Sequence, residues 1–319
     1  MFSTSRRSRS EPQDKHHNRT LYARRRRTGI LLVSPAMILL TLVVLFPIGR
    51  SVVYSFQRVA PEGGRFRSSW VWFDNYRFMG TDPAVRTALR NTLIFTVGEV
   101  VLVIGIAMAT ALLLNHRFGR FGAFRIVMLI PWAIAPVANA VLWKWILHGS
   151  YGVLNAVLLK LGLIDEYKIW LGEAGLALRM VLLADVWKSV PFIALLLLAG
   201  LQNIPRPLYR AAKLDGATLL QRFRFVTLPG LRTPLTLAII LQSIWAIKVF
   251  DLIYVLTKGG PADGTLMMNF LAYRVTFNFL DFGYGAALAN VLFLSMLILS
   301  FVYIKVLKPG SPRSRSAAP

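Results

Sequence analysis

The chain has 319 residues, of which 55% are hydrophobic and only 16% are charged, and its net charge is +23. This apolar fraction excludes a disordered chain and exceeds what a soluble domain could bury, so the composition predicts a membrane protein. The basic excess would also fit a nucleic-acid-binding protein, but the positive-inside rule of membrane proteins explains it better, and we expect no nucleic-acid partner.

The chain begins with a polar segment that contains nine Lys and Arg residues and ends in the run Arg24–Arg27. It lacks apolar periodicity, so residues 1–28 are predicted to be a disordered, basic cytoplasmic tail. A second cytoplasmic tail is predicted for residues 309–319. Between the two tails we expect a single transmembrane domain, residues 29–308, with no separate soluble domain.

Six apolar segments follow the first tail, and a membrane-spanning helix needs about 20 apolar residues. The segments are residues 29–53, 92–114, 126–147, 176–201, 234–256 and 284–307. Pro131 and Pro136 interrupt the third segment, and Pro191 lies in the fourth. This pattern predicts an all-α polytopic membrane protein with six transmembrane helices.

The distribution of basic residues predicts the orientation. If the N-terminus is cytoplasmic, the inside segments contain 22 Lys and Arg residues and the outside segments contain 11. Cytoplasmic loops carry an excess of Lys and Arg. We therefore expect a multi-pass protein of the plasma membrane with both termini in the cytoplasm.

Motifs of several catalytic classes are missing from the sequence. The dipeptide Gly-Lys does not occur, so the chain has no P-loop for ATP, and neither HExxH nor G-x-S-x-G is present. The absence of cysteine excludes thiolate metal sites and thiol catalysis. We expect no catalytic residue, no metal site and no cofactor in this chain, and a membrane enzyme is poorly supported.

The most informative segment is the predicted cytoplasmic loop 202–233, which is long for a connector. It is predicted to form two short helices around a break at Asp215-Gly216. The second helix would carry an apolar face made of Leu219, Leu220, Phe223 and Val226. Such a helix could lie on lipid or fill a groove in a cytoplasmic partner.

Within this loop, Arg210-Ala211-Ala212 is followed after three residues by Gly216, and after nine more by Val226-x-Leu228-Pro229. This spacing resembles the EAA loop of ABC importer permeases, which reads E-A-A, three residues, G, nine residues, I-x-L-P. Leu208-Tyr209 and Asp215-Gly216-Ala217 are similar to the sugar-importer branch, the maltose-transporter-type permeases. Arg210 departs from the motif, because the family has a Glu there that normally faces a basic residue of the ATPase.

Other segments agree with the resemblance, which covers about residues 28–308 and is most specific over 185–261. Asp185-Val186-Trp187-Lys188 with Pro191-Phe192 is similar to the family's fourth-span motif. The stretch from Phe250 to Pro261 resembles the end of the fifth span and the following loop.

The resemblance implies one of two permease subunits that work by alternating access. The implied partners are a second permease subunit, two copies of a cytoplasmic ATPase that binds ATP and Mg, an extracytoplasmic sugar-binding protein and membrane lipid. The residues implied to couple the chain to the ATPase are Arg210, Ala211, Ala212, Asp215, Gly216, Leu219, Leu220, Phe223, Leu228 and Pro229.

Polar residues inside the predicted spans are candidates for the substrate pathway, because such residues are costly in a bilayer. These candidates are Asn139, Asp185, Lys188, Gln242, Trp245, Lys248, Asp251 and Asn290. Asp185 with Lys188, and Lys248 with Asp251, could instead form ion pairs between residues three apart, and the uncharged residues could bond neighbouring helices. Gln242 and Trp245 lie one helical turn apart and would offer a hydrogen-bonding group beside an aromatic platform for a sugar.

Two alternatives for the transported substrate and the mechanism stay open at this point. Relatives in the same family carry glycerol-3-phosphate or related phosphodiesters, and Lys188 and Lys248 could serve an anionic group. An ion-coupled secondary transporter belongs to a different class, which would need internal repeats and a broken-helix ion site. No internal repeat is visible in the sequence.

Overall fold

The computed structural model describes residues 28–117 and 127–306. The predicted tails, except Thr28, therefore lie outside the described residues. The chain divides into two compact units after Tyr54. The first unit contains most of helix α1 (Thr28–Ser55), whose apolar side chains are exposed along its length, as expected for a helix that meets lipid.

The second unit contains one small sheet and twelve helices among its described residues. A hairpin comes first, with strands β1 (Gln57–Glu62) and β2 (Arg65–Trp70). The helices are α2 (Asp74–Thr81), α3 (Pro83–Arg117), α4 (Ile130–Ala133), α5 (Pro136–Ile146), α6 (Val153–Lys160), α7 (Ala174–Gln202), α8 (Arg206–Leu214), α9 (219–230), α10 (Arg232–Ile247), α11 (Asp251–Leu256), α12 (268–278) and α13 (Phe282–Val306). Single π-helical turns interrupt α1 and α9, and another forms the last turn of α12.

Five helical segments in the described part of the chain are long and apolar enough to cross a membrane. They are Thr28–Ser55, Pro83–Asn115, Ala174–Gln202, Arg232–Leu256 and Phe282–Lys305. The predicted third span is instead two short helices, α4 and α5, separated by extended backbone at Ile134 and Ala135. Pro136 causes this break, because a proline disfavours helical backbone at the residue before it and offers no N–H.

Helices α3 and α7 run in the same direction. Phe95, early in α3, shares a buried cluster with Val181, early in α7. Leu114, at the end of α3, shares a second cluster with Leu198, at the end of α7. Because both helices point the same way, the chain between them must return to its starting side, and α4 and α5 lie on this return path.

Helix α10 runs against α3, since Ala238 lies in the cluster of Leu114 and Ala246 lies in the cluster of Phe95. The connecting segments of the second unit therefore gather at two ends. Residues 57–82, 148–173 and 257–281 lie at one end, and the loop 203–231 lies at the other. The same segments were predicted to lie on opposite sides of the membrane, with the loop 202–233 on one side and the segments before α3, before α7 and after α11 on the other.

The hairpin was not predicted. Its two strands pair in antiparallel register from Gln57 with Trp70 to Glu62 with Arg65. Gly63 and Gly64 at the turn both have positive φ, of +59° and +78°, as a type I′ turn requires. The Gly-Gly pair was therefore the available sequence signal, but the polar flanks conceal any alternating apolar pattern.

Candidate functional site

A cavity of about 240 Å³ lies among α4, α5, α7 and the junction between α10 and α11. It brings together six of the predicted pathway residues, which come from distant parts of the sequence. These six are Asn139, Asp185, Lys188, Trp245, Lys248 and Asp251. Gln242 and Asn290 do not line it; Asn290 lies half-buried on α13.

The cavity exists because two helices are interrupted beside it. Helix α10 ends at Ile247, Lys248 is its C-cap, and α11 begins only at Asp251. Phe250 between them has an irregular backbone, with φ of −126° and ψ of −54°. Non-helical backbone at membrane depth is tolerated where it lines a cavity or is buried in protein. The fifth predicted span is therefore a broken helix rather than a continuous one.

The two predicted ion pairs do not form. No nitrogen–oxygen contact within 4 Å joins Asp185 to Lys188 or Lys248 to Asp251, whereas Arg77 pairs with Asp74 and Arg274 pairs with Asp263 in the described part of the chain. The Lys188 ammonium instead donates to the main-chain carbonyl of Trp132, at 3.2 Å. That carbonyl is available because α4 ends at Ala133. Lys188 therefore bonds a carbonyl exposed by the break in the third segment, whereas the sequence spacing had suggested Asp185 as its partner.

Asn139 contributes an unpaired carboxamide to the cavity wall. Its side chain is fully buried. Neither its Nδ2 nor its Oδ1 has a hydrogen-bond partner within residues 28–117 and 127–306. Buried polar groups in folded proteins are nearly always paired. An unpaired amide on a cavity wall offers one donor group and one acceptor to a ligand with hydroxyl groups.

An aromatic surface lies beside this amide. The Trp132 ring stacks on Phe192 with ring centroids 4.8 Å apart, and Phe192 in turn contacts Trp245 at 5.5 Å. Both tryptophans line the cavity. Trp132 was missed by the sequence analysis, because it lies in the proline-interrupted third segment, where no helical face could be assigned.

Gln242 lies behind the cavity wall rather than on it. Its side-chain amide is fully buried and donates a hydrogen bond to Glu99 Oε1 on α3. The Asp185 carboxyl lies close to that of Glu99. No role is predictable for Glu99 from the sequence, because Asp185 and Gln242 are 86 and 143 residues away in the chain. Gln242 and Trp245 were predicted to face the substrate together, but only Trp245 lines the cavity.

The predicted coupling loop forms the two helices expected, α8 and α9. Gly216 at the break has φ of +77°, a conformation that favours glycine. The second helix begins with a capping box, in which Thr218 N donates to Gln221 Oε1 at 2.7 Å and Gln221 N donates to Thr218 Oγ1 at 3.3 Å. The Tyr209 and Thr227 hydroxyls, 3.0 Å apart, join α8 to α9.

The outer surface of this loop differs from the predicted face. Leu219 and Leu220 are exposed, at 78% and 75%. Phe223 packs instead into the buried cluster that contains Ile204. The predicted apolar face is therefore divided between an exposed part, Leu219 and Leu220, and an inner part, Phe223.

Most of the predicted coupling residues lie on the exposed side of the loop. Exposed are Arg210, Ala211, Asp215, Gly216, Leu219, Leu220, Leu228 and Pro229, whereas Ala212 and Phe223 are half-buried. Leu214 and Phe225, which were not predicted, add exposed apolar area at 89% and 69%.

Comparisons with known proteins agree with this arrangement. Residues 85–309 match the family described as "Binding-protein-dependent transport system inner membrane component". The chain is 36% identical over 280 residues to the sulfoquinovosyl glycerol transport system permease protein SmoG of Agrobacterium fabrum, covering 88% of this chain and 90% of that protein. It is also 36% identical to the trehalose/maltose transport system permease protein MalF of Thermococcus litoralis, over 89% of this chain and 94% of the relative.

A third relative is the lactose transport system permease protein LacF of Rhizobium radiobacter, 34% identical over 86% of this chain and 92% of that protein. Among solved structures, a chain of a bacterial ABC transporter that imports the acidic polysaccharide alginate has the same fold. Its TM-score is 0.76 at 20% identity, covering 90% of this chain and 98% of that one. These matches confirm the resemblance and the helical membrane fold, and the chain belongs to the family of inner membrane components of binding-protein-dependent transport systems.

Proposed function

We propose that this chain is the permease subunit through which an ABC importer moves a sugar inward across the plasma membrane by alternating access. The observation that carries the proposal is the cavity at the broken helix α10–α11, where the unpaired amide of Asn139 lies near the aromatic surface of Trp132 and Trp245. A sugar presents hydroxyl groups to such an amide and apolar C–H faces to such rings. The relatives named above for sugar transport support this substrate class.

The proposed partners follow from the same arrangement. A second permease subunit would cover the open side of the cavity, whose volume is below the range usual for a complete small-molecule site. Two copies of a cytoplasmic ATPase would bind ATP and Mg, since this sequence has no P-loop. An extracytoplasmic sugar-binding protein would deliver the substrate. A structure of the alginate transporter in complex with a substrate-bound periplasmic protein supports such a delivery step.

The exposed surface of α8 and α9 is proposed as the ATPase contact. Leu219 and Leu220 project from a loop that is closed by its own capping box and by the Tyr209–Thr227 hydroxyl contact. Exposed apolar side chains on a short helix fit a groove in a partner. The end of the second unit that carries this loop would then be cytoplasmic, in agreement with the predicted Lys and Arg asymmetry.

An anionic substrate is the second candidate, and one observation favours it. The side chain of Lys248 lines the cavity, and its ammonium has no hydrogen bond or ion pair to another described residue. It could therefore meet a phosphate, as in a glycerol-3-phosphate or a phosphodiester. Asp185 and Asp251 line the same cavity, however, so its charges balance and the neutral sugar is favoured.

The test is uptake by the complete complex in proteoliposomes, with trehalose, maltose, lactose and glycerol-3-phosphate offered separately. Asn139→Ala should reduce sugar uptake at least tenfold, equivalent to about 1.4 kcal/mol. Asn290→Ala is the matched control, because this asparagine is also within a span but lies off the cavity. Equal uptake by wild type and Asn139→Ala, or uptake of glycerol-3-phosphate alone, would contradict the proposal.

A further inference from the structure

The first helix of the coupling loop carries a row of basic side chains. Arg206, Arg210 and Lys213 are spaced by four and three residues, so they share one side of α8, named here the basic row. All three side chains are exposed. None of them has a hydrogen bond or an ion pair to another described residue. The described part of the chain therefore leaves the positive charge of the row uncompensated.

The sequence around the row supplies only one acidic residue. The loop 202–233 contains six Lys and Arg residues and a single carboxylate, that of Asp215. Asp215 is also the only Asp or Glu between Asp185 and Asp251. It is exposed at the C-terminus of α8 and forms no ion pair with another described residue. Like charges one helical turn apart repel each other, so carboxylates brought by a partner would stabilise the row.

Helix α8 has an inner and an outer side. Tyr209 is on the inner side, where its ring packs on the cluster that contains Leu201, at the end of α7, and its hydroxyl contacts Thr227. A helix turns about 100° per residue, so Leu214 lies about 140° around α8 from Tyr209. Leu214 is exposed. Because Tyr209 faces the ends of the membrane helices, Leu214 points away from the bilayer, and Arg210 lies between the two sides.

This orientation favours a protein partner over lipid. A helix that lies on a bilayer turns its apolar side toward the acyl chains and its basic residues toward the headgroups. In α8 the exposed apolar residue instead points away from the bilayer, and the exposed Leu219 and Leu220 follow directly after the break at Gly216. A groove that covers these leucines would bring its rim against the basic row.

We propose that Asp and Glu residues line one side of the ATPase groove that receives this loop, and that they pair with the basic row. This inference rests on the proposed function and specifies the chemistry of its ATPase partner. Guanidinium groups bind carboxylates through paired hydrogen bonds, so Arg206 and Arg210 would also fix the orientation of the loop in the groove. The permease would thereby reject an ATPase that presents basic residues at this place.

The test measures the dissociation constant of the ATPase subunits by diluting the complete complex in phosphatidylcholine nanodiscs. Arg210→Glu and Lys213→Glu should each weaken ATPase binding at least tenfold at low salt, because the new carboxylate would face carboxylates. Arg210→Gln should weaken binding less, since it removes a charge without reversing it. High salt should weaken wild-type binding and reduce the differences among the variants.

Two controls separate this effect from damage to the fold. Lys160→Glu is matched to Lys213→Glu, because Lys160 is also an exposed lysine in the last turn of a short helix, α6, but lies at the opposite end of the second unit. It should leave ATPase binding unchanged. The melting temperature of Arg210→Glu should equal that of wild type, because the introduced carboxylate has Arg206 and Lys213 one turn away.

Unchanged or tighter ATPase binding by Arg210→Glu, next to a wild-type complex that assembles, would overturn this inference and leave the proposed function in place. A wild-type chain that binds no ATPase would overturn both. If Arg210→Glu weakens binding only in nanodiscs that contain phosphatidylglycerol, the basic row meets lipid and the inference is wrong. Recovery of Arg210→Glu by an ATPase in which one acidic residue is replaced by lysine would support the inference and identify the facing carboxylate.

Discussion

The buried side chains of Gln242 and Glu99 form a hydrogen bond that joins α10 to α3 directly behind the candidate cavity. The second carboxylate oxygen, Glu99 Oε2, has no partner among the described residues. The bond from Gln242 is therefore the only hydrogen bond that a described residue makes to this carboxyl group, which is buried away from solvent. This contact fixes the helix whose broken end carries Lys248 and Asp251.

The first prediction concerns this bond. Gln242→Ala should destabilise the assembled complex by about 1–3 kcal/mol, because it removes the donor to a buried carboxyl group. Thermal unfolding in detergent, followed by size-exclusion chromatography, measures the change. Ser295→Ala is the control, since Ser295 bonds only within its own helix at an exposed position. A melting temperature equal to that of wild type would show that the bond contributes nothing to stability.

The second prediction concerns the aromatic surface. Trp245→Ala should reduce sugar uptake strongly, whereas Trp245→Phe should keep a larger share, because a ring still faces the cavity. Basal ATP hydrolysis and the yield of complex should change little in both variants. Uptake at the wild-type rate by Trp245→Ala would remove Trp245 from the substrate site, and loss of the complex would instead show a packing role.

The third prediction separates the outer and inner residues of the coupling loop. Leu220→Asp should abolish capture of the ATPase subunit and substrate-stimulated ATP hydrolysis without lowering the melting temperature of the permease, because Leu220 is 75% exposed. Phe223→Asp should lower the melting temperature, because it places a carboxylate in the buried cluster around Ile204. Normal ATPase capture by Leu220→Asp would mean that this surface is not the coupling contact.

The fourth prediction concerns Gly216 in the same loop. Gly216→Val forces a β-branched side chain into a backbone with φ of +77°, which costs about 1–3 kcal/mol. We expect the variant to insert and to couple poorly, with stimulated ATP hydrolysis reduced more than basal hydrolysis. Gly105→Val, where an added Cβ meets no atom within 4 Å, is the comparison. Equal coupling in the two variants would contradict this expectation.

The fifth prediction tests the orientation. Because the chain has no cysteine, single introduced cysteines are clean probes. Cysteines at Ser5 and Ser316 should resist a membrane-impermeant thiol reagent in intact cells, and one at the exposed Asp165 should react. Reaction at either terminus from outside the cell would show that the predicted orientation is wrong.

The sequence alone determined the class of protein, its helical membrane fold and its family. Apolar segments near 20 residues and the fixed spacing of the loop motif are local patterns, readable without coordinates. It also predicted half of the residues that line the cavity, because ionisable and amide side chains within a span are costly and therefore easy to recognise. The glycine at the loop break was likewise readable from its position between two short helices.

Only the tertiary structure decided which of those residues meet one another. Gln242 faces Glu99 instead of the cavity, Lys188 bonds the Trp132 carbonyl instead of Asp185, and Phe223 turns inward. Each outcome depends on a helix break or on a partner in another element of the fold. Helical spacing assumes an unbroken helix and neighbours within one turn, so it cannot show contacts made across breaks or between distant segments.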